Sequence, residues 1–342
     1  MVKYRAAIIG TGRIGYLLQK DKKREQPASH SSALSKNDKI KLIAGCDSNQ
    51  ERLNLWHKDY PKANLYINFL ELMEKERPDI VVIAVDEISH LDVTLRVIEY
   101  KPKLIILEKP VAPNLESALK IKRASEFKKV SVLVNHERRY SDDYIILKEL
   151  LKSNKIGRID TINAFLSSGM KVWNNKCEID GSCLLVHDGT HLIDIIFYLF
   201  GYNLIDPIID NLVVNKKNEI LSLFLHYIIK RDKIISLELN GQKSYFEFEL
   251  DIKGRNGKII IGNGYFNVYC SSSSPYYSKF KSLVKNNKIK RPKKTCYFTN
   301  MDQNCVDFLD GKSKLVSTLN DGVKVIEIIY DIIEKIRKIK DI

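Results

Sequence analysis

The chain has 342 residues, of which 44% are hydrophobic and 29% charged, with a formal net charge of +14. These values exclude a disordered or collagen-like chain, and the length suits about two domains. No apolar run reaches the ~18 residues of a membrane span, and the first residues carry no signal-peptide core, so a soluble cytoplasmic protein without a membrane partner is expected. Cys46, Cys177, Cys183, Cys270, Cys296 and Cys305 are scattered without a Cys-x-x-Cys pair and read as reduced thiols.

Short apolar runs alternate with helical patterns over the first 135 residues, the signature of a parallel sheet wrapped by helices. Strands are expected at Tyr4 to Ile9, Lys41 to Cys46, Ile80 to Ala84, Leu104 to Leu107 and Ser131 to Val134. The middle three are almost continuously apolar, as strands buried on both faces should be. Between them lie helices from Gln50 to Lys58, Phe69 to Glu76, Ser89 to Tyr100 and Leu115 to Phe127, with Ser89 and Asn114 as N-caps.

The first strand runs directly into Gly10-Thr11-Gly12-Arg13-Ile14-Gly15. In a strand–loop–helix context Gly10 turns the chain, Gly12 lets backbone amides approach a pyrophosphate, and Gly15 permits close packing, while the following helix N-terminus offers free N–H donors. Asp47, ending the second strand, suits the adenosine ribose hydroxyls or, alternatively, a turn cap. It lies 32 residues beyond Gly15, whereas the usual interval is ~20. The polar stretch Tyr16 to Ser29 is read as the insertion that makes up the difference. A carboxylate at the ribose repels a 2′-phosphate, which favours NAD over NADP, with Arg13 able to offset the repulsion.

After a helix near Ser141 to Ser153 the pattern changes. Strands are expected at Arg158 to Leu166, Ile208 to Val214, Leu221 to Ile229, Ile234 to Leu239, Tyr245 to Ile252, Lys258 to Ile261 and Tyr265 to Tyr269, forming an antiparallel sheet. Phe246, Phe248, Leu250 and Ile252 alternate with Tyr245, Glu247, Glu249 and Asp251, so one face is core. A helix from Thr190 to Phe200 stops at Gly201, and helices near Met301 to Leu309 and Val323 to Lys338 close the chain. From Lys279 to Lys294 there are eight basic residues and no acid, read as a solvated loop. Lysines outnumber arginines 42 to 14, which argues against specific nucleic-acid readout and for a small anionic partner.

Glu108-Lys109-Pro110 at the end of the fifth strand and His187-Asp188-Gly189-Thr190-His191-Leu192-Ile193-Asp194, with the glycine loop, resemble the Gfo/Idh/MocA family over nearly the whole chain. The resemblance implies an α/β protein with a Rossmann doubly wound sheet at 1–135 holding a nicotinamide dinucleotide. An α/β domain with a large, mostly antiparallel open sheet at 136–318 would bind substrate and oligomerise, and a closing helix at 319–342 would pack back on the first domain. Gly10, Gly12, Arg13, Ile14, Gly15, Asp47, Glu108 and Pro110 would bind the cofactor, with Pro110 often cis in the family, and Lys109 would meet the substrate oxygen.

Asn135 to Tyr140 resembles the family's Arg-aromatic segment, and Ser29 to Ala33 its short His-containing helix, which makes His30, Arg139 and Tyr140 substrate contacts. In the family an Asp precedes the catalytic His by four residues; here that place holds His187 and the acid, Asp188, is shifted by one. His191 is the expected general acid/base, oriented by His187 or Asp188. The His187/His191 pair with Cys183 also has zinc-like spacing but lacks a marked further ligand, so no metal is expected. The implied activity is hydride transfer between nicotinamide and a secondary alcohol or ketone of a sugar-like substrate, such as a nucleotide-linked or amino sugar, by a homodimer or homotetramer. The alternatives are a cyclitol dehydrogenase and a catalytically silent dinucleotide-binding protein.

Overall fold

The computed structural model describes residues 3–169, 184–201, 204–230 and 232–340. In chain order the first elements are β1 (Tyr4–Ile9), α1 (His30–Lys36), β2 (Ile40–Cys46), α2 (Gln50–Asp59), β3 (Asn64–Tyr66), α3 (Phe69–Glu76), β4 (Ile80–Ile83), α4 (His90–Glu99), β5 (Leu104–Leu107), α5 (Leu115–Lys128) and β6 (Ser131–Val134). There follow α6 (Asp142–Lys152), β7 (Ile159–Gly169), α7 (Thr190–Phe200), β8 (Ile208–Val214), β9 (Ile220–Ile229), β10 (Lys233–Asn240), β11 (Gln242–Gly254), β12 (Gly257–Gly262), β13 (Tyr265–Ser273), β14 (Lys281–Lys285), α8 (Tyr297–Leu309) and α9 (Leu319–Lys340).

Two compact units emerge: 1–142 with 294–326, and 143–293 with 327–342. This grouping differs from the sequence division at 135 and 318, because α8 and the start of α9 fall in the first unit. Phe298, Met301, Cys305 and Val306 of α8 sit in one cluster with Tyr4, Ile8 and Trp56. Gly322 of α9 lies so close to Val111 and Val134 that a Cβ there would approach them to 2.5 and 2.9 Å.

In the first unit the parallel strands run β3-β2-β1-β4-β5-β6, the doubly wound order whose crevice lies at the carboxyl ends of β1 and β4. Every residue of β4 and β5 is buried, as their unbroken apolar sequence demands. Asn114 caps α5 by accepting from the Ser117 amide. Ser89 makes no cap bond to α4; it donates instead to Asp86, whose side chain closes the turn.

In the second unit the order is β14-β13-β12-β11-β7-β10-β9-β8. The sheet is antiparallel except for the β10–β7 pair. Ile235, Leu237, Leu239, Phe248, Leu250 and Ile252 are buried as the alternation requires. Phe246 breaks the pattern: it is 55% exposed, because the β11–β7 ladder shifts register between Gln242 and Glu247 and flips the side chains before the shift. The basic run is not all loop, since Lys281–Lys285 form the edge strand β14, where lysines discourage strand addition.

Candidate functional site

The glycine loop follows β1 at the switch point of the sheet. Gly10 has φ +99°, and a Cβ there would come within 2.4 Å of the Ala84 carbonyl oxygen. At Gly15 a Cβ would sit 2.0 Å from the Gly10 carbonyl oxygen. Gly12 differs, with the nearest atom, an Arg52 guanidinium nitrogen, at 3.5 Å. Two glycines are therefore required by packing, while the third leaves its face open to a ligand's approach.

The helix expected directly after Gly15 is interrupted. Turns lead into a four-residue 3₁₀ segment, Leu17–Lys20. The helix resumes at α1, where the amides of His30 and Ser31 donate to the carbonyls of Ile14 and Gly15 (3.2 and 3.0 Å). His30 thereby takes the place position 18 would hold in a continuous helix, which accounts for the surplus of about 12 residues before Asp47.

Asp47 is 6% exposed, and its Oδ2 accepts from the Thr11 amide (2.9 Å) and hydroxyl (3.1 Å), tying β2 to the glycine loop. Its Oδ1 accepts from the Asn49 amide at 2.9 Å. The turn-capping reading and a position beside the loop are thus both realised. Arg52 lies 3.9 Å from Asp47 Oδ2, half exposed, a residue the sequence analysis passed over. Its only sequence signal is its place in the first turn of α2.

At the carboxyl end of β5, Glu108 is buried; its Oε1 accepts from His30 Nε2 and from the Asn135 amide, each at 2.6 Å. Burial pushes the Glu108 carboxyl up, but the imidazole and the amide overcome this and hold it below the usual carboxylate range. His30 and Glu108, expected at substrate and cofactor, therefore meet each other beneath the loop. The neighbouring Lys109 is half-buried, and its peptide bond to Pro110 is cis. The Pro110 carbonyl accepts from His90 Nδ1 at 2.8 Å.

Beyond β6, Arg139 is 2% exposed, 3.3 Å from Asp321 and donating to the Val316 carbonyl. Tyr140 is likewise 2% exposed and belongs to the hydrophobic core. Both were expected as substrate contacts, and both are committed to the interior of the first unit. Their neighbours are more accessible: Glu137 and Arg138 pair at 2.9 Å. Burial pushes the Glu137 carboxyl up against the pull of Arg138.

In the second unit, Leu184–Gly189 form a π-helical turn that passes directly into α7. Such wide turns re-phase helix faces and recur at functional sites. His187 and His191 remain half-buried, while Asp188 is 4% exposed and accepts from the Ser168 hydroxyl at 2.6 Å. Gly181, Ser182 and Cys183 lie outside the described residues, as does Cys177. Among the described residues no group of three or more His, Cys, Asp or Glu could hold a metal ion.

Residues 4–136 match the model of the Gfo/Idh/MocA oxidoreductase family, described by its NAD-binding Rossmann fold. Over that stretch the chain is similar to the Rossmann domain of the Gfo/Idh/MocA family. Among curated proteins, scyllo-inositol 2-dehydrogenase (NADP(+)) of Bacillus subtilis (strain 168) is 23% identical over 188 residues, 54% of this chain and 51% of that protein. Glucose-6-phosphate 3-dehydrogenase of the same organism is 27% identical over 179 residues, 50% of each chain. The chain spans about half the length of the curated relatives it matches. Among solved structures, the WlbA dehydrogenase from Bordetella pertussis in complex with NADH and UDP-GlcNAcA superposes with a TM-score of 0.77 at 16% identity, covering 98% of this chain and 97% of that one. That likeness extends the shared fold across both units.

In this domain the residues present fit a dinucleotide. The cradle at Gly10 and Gly15 cannot hold side chains, the face of Gly12 is open, and a buried carboxylate and an exposed guanidinium stand where the second strand ends.

Proposed function

We propose that the protein is an NAD(P)-dependent oxidoreductase acting on a secondary alcohol or ketone of a sugar-like substrate. The observation that carries this reading is the glycine cradle at the switch point of a β3-β2-β1-β4-β5-β6 sheet, with Lys109 at the carboxyl end of β5 in the same unit. The loop amides and Asp47 would hold the dinucleotide, which when bound supplies the hydride acceptor in oxidation and the donor in reduction.

The chain's own task is the proton and the oxygen. The Lys109 ammonium would polarise a substrate carbonyl or stabilise the alkoxide, its backbone held by the Glu108–His30 contact on one side and the Pro110–His90 bond on the other. His191 would take the hydroxyl proton in oxidation and return it in reduction. Asp188, bonded to Ser168, would steady the π-helical turn that leads to His191. The inositol and glucose phosphate relatives and the nucleotide-sugar neighbour support a polyhydroxylated substrate, cyclitols included.

Lys109→Ala and His191→Ala are expected to bind NADH with near-normal affinity while turnover falls by about 10²-fold or more, followed by nicotinamide absorbance on a panel of sugars, inositols and nucleotide sugars. Wild-type turnover in both variants would reject the catalytic assignment.

A further inference from the structure

In the second unit, the β11–β12 hairpin and the β13–β14 edge line an open cleft of about 410 Å³. Its lining residues include Lys253, Arg255, Lys258 and Lys281 with the hydroxyl-bearing Ser271. One carboxylate, Asp251, stands beside them; its Oδ2 is 2.9 Å from Lys258 and 3.7 Å from Lys253. Arg255 and Lys281 have no side-chain partner among the described residues. Four cations against one acid leave a local excess of about three positive charges along the cleft.

The hairpin that presents Arg255 is fixed rather than loose. Its turn is held by the Arg255 amide on the Arg158 carbonyl (3.1 Å), the Asn256 amide on the Ile156 carbonyl (2.8 Å) and the Ser271 amide on the Asn256 carbonyl (2.8 Å). Gly254 and Gly257 flank it so tightly that a Cβ would approach the carbonyl oxygens of Ile156 and Tyr269 to 2.5 and 2.4 Å. Like charges gathered along one cleft create a positive potential that favours an anion there. An arginine fork flanked by lysines and a serine hydroxyl matches the oxygens of phosphate groups.

From this geometry we infer that the cleft is a second binding site, for a compact polyanion bearing phosphate groups, separate from the dinucleotide cradle. The volume of the cleft suits a small molecule rather than a nucleic-acid duplex. It also gives part of the +14 charge a local task.

Titration calorimetry of the full chain with inorganic pyrophosphate, with and without saturating NADH, tests this. Saturable binding is expected in both conditions, and Arg255→Ala/Lys281→Ala should weaken it by at least about tenfold. NADH affinity and the thermal midpoint without anion should stay unchanged. Pyrophosphate captured by the glycine loop would instead vanish with NADH and ignore the double substitution, and that result overturns the proposal. So does the absence of saturation at millimolar concentration. Tighter binding of a single-stranded oligonucleotide, lost in the same double variant, would overturn it in favour of a nucleic-acid surface.

Discussion

Arg52 illustrates how a single side chain can shift cofactor choice. Its guanidinium stands 3.9 Å from Asp47 and within 3.5 Å of the position a Gly12 Cβ would take. Asp47 opposes a 2′-phosphate, whereas an exposed arginine beside it can pair with one. Arg52→Ala is expected to weaken NADPH binding by about tenfold relative to NADH, measured by fluorescence titration of both. An equal loss for the two cofactors would remove Arg52 from the discrimination. Apart from its place in the first turn of α2, nothing in the sequence marked Arg52, because its importance arises from the fold bringing α2 beside the loop.

Asp302 is the other residue whose environment has a measurable consequence. It is 1% exposed on α8, and neither carboxyl oxygen has a hydrogen-bond partner among the described residues. Burial pushes its carboxyl well above the usual range, so the folded state keeps a proton that the unfolded chain releases near pH ~4. Its contribution is fully present below that pH and is lost as pH rises towards the raised folded value, by up to about 1.4 kcal/mol per pH unit. Asp302→Asn should flatten this slope and raise stability at neutral pH in urea titrations run at several pH values. An unchanged slope would show that the carboxyl is solvated or paired.

Among the elements, the interrupted first helix shows what an insertion costs and what it adds. Glu25, within the inserted stretch, accepts from the amides of Thr295 and Cys296 and from the Thr295 hydroxyl, between 2.7 and 3.0 Å. It thus caps the start of α8, the helix that carries Phe298 to His30 at a ring distance of 5.1 Å. Glu25→Ala should cost about 1–2 kcal/mol by leaving those donors unpaired, read as a lower denaturant midpoint. Gly15→Ala should do more local damage: the added carbon meets the Gly10 carbonyl at 2.0 Å. Loss of NADH binding is expected with a destabilisation of about 1–3 kcal/mol; intact binding would place the dinucleotide elsewhere.

Most elements were legible from periodicity because their burial is nearly all-or-none. β4 and β5 are apolar throughout and fully buried, and α3, β8 and α7 begin and end where their patterns do. The short β3 and the edge strand β14 were missed, since neither has a buried face to impose alternation. Phe246 was placed on the wrong face because a register shift leaves no trace in a two-residue repeat.

For the whole molecule, two compact units mean that a ligand of one need not stabilise the other directly. At 100 times its Kd, NADH should stabilise the first unit by about 2.7 kcal/mol. Hydrogen exchange should show the added protection at residues 10–15 and 47–52. Uniform protection of the second unit alone would contradict the cradle. A homo-oligomer is also expected, and the outer face of the eight-stranded sheet offers an apolar patch for it: Ile228 and Ile234 lie directly opposite, 55% and 47% exposed, with Phe224 nearby at 38%. Light scattering should give a dimer or tetramer that Ile228→Asp shifts towards monomer.

By itself the sequence determined the nucleotide-binding class of the first domain, since strand, glycine spacing and helix lie within a few residues and need only local geometry. It also located Lys109 at a strand's carboxyl end, which follows from where an apolar run stops. Only the tertiary structure decided that Arg139 and Tyr140 are interior, that Glu108 answers to His30 and Asn135, and that Lys281 of β14 shares one cleft with the cations of the β11–β12 hairpin. Those facts depend on contacts between residues far apart in the chain, and polar side chains look alike in a sequence whether they face a ligand or each other.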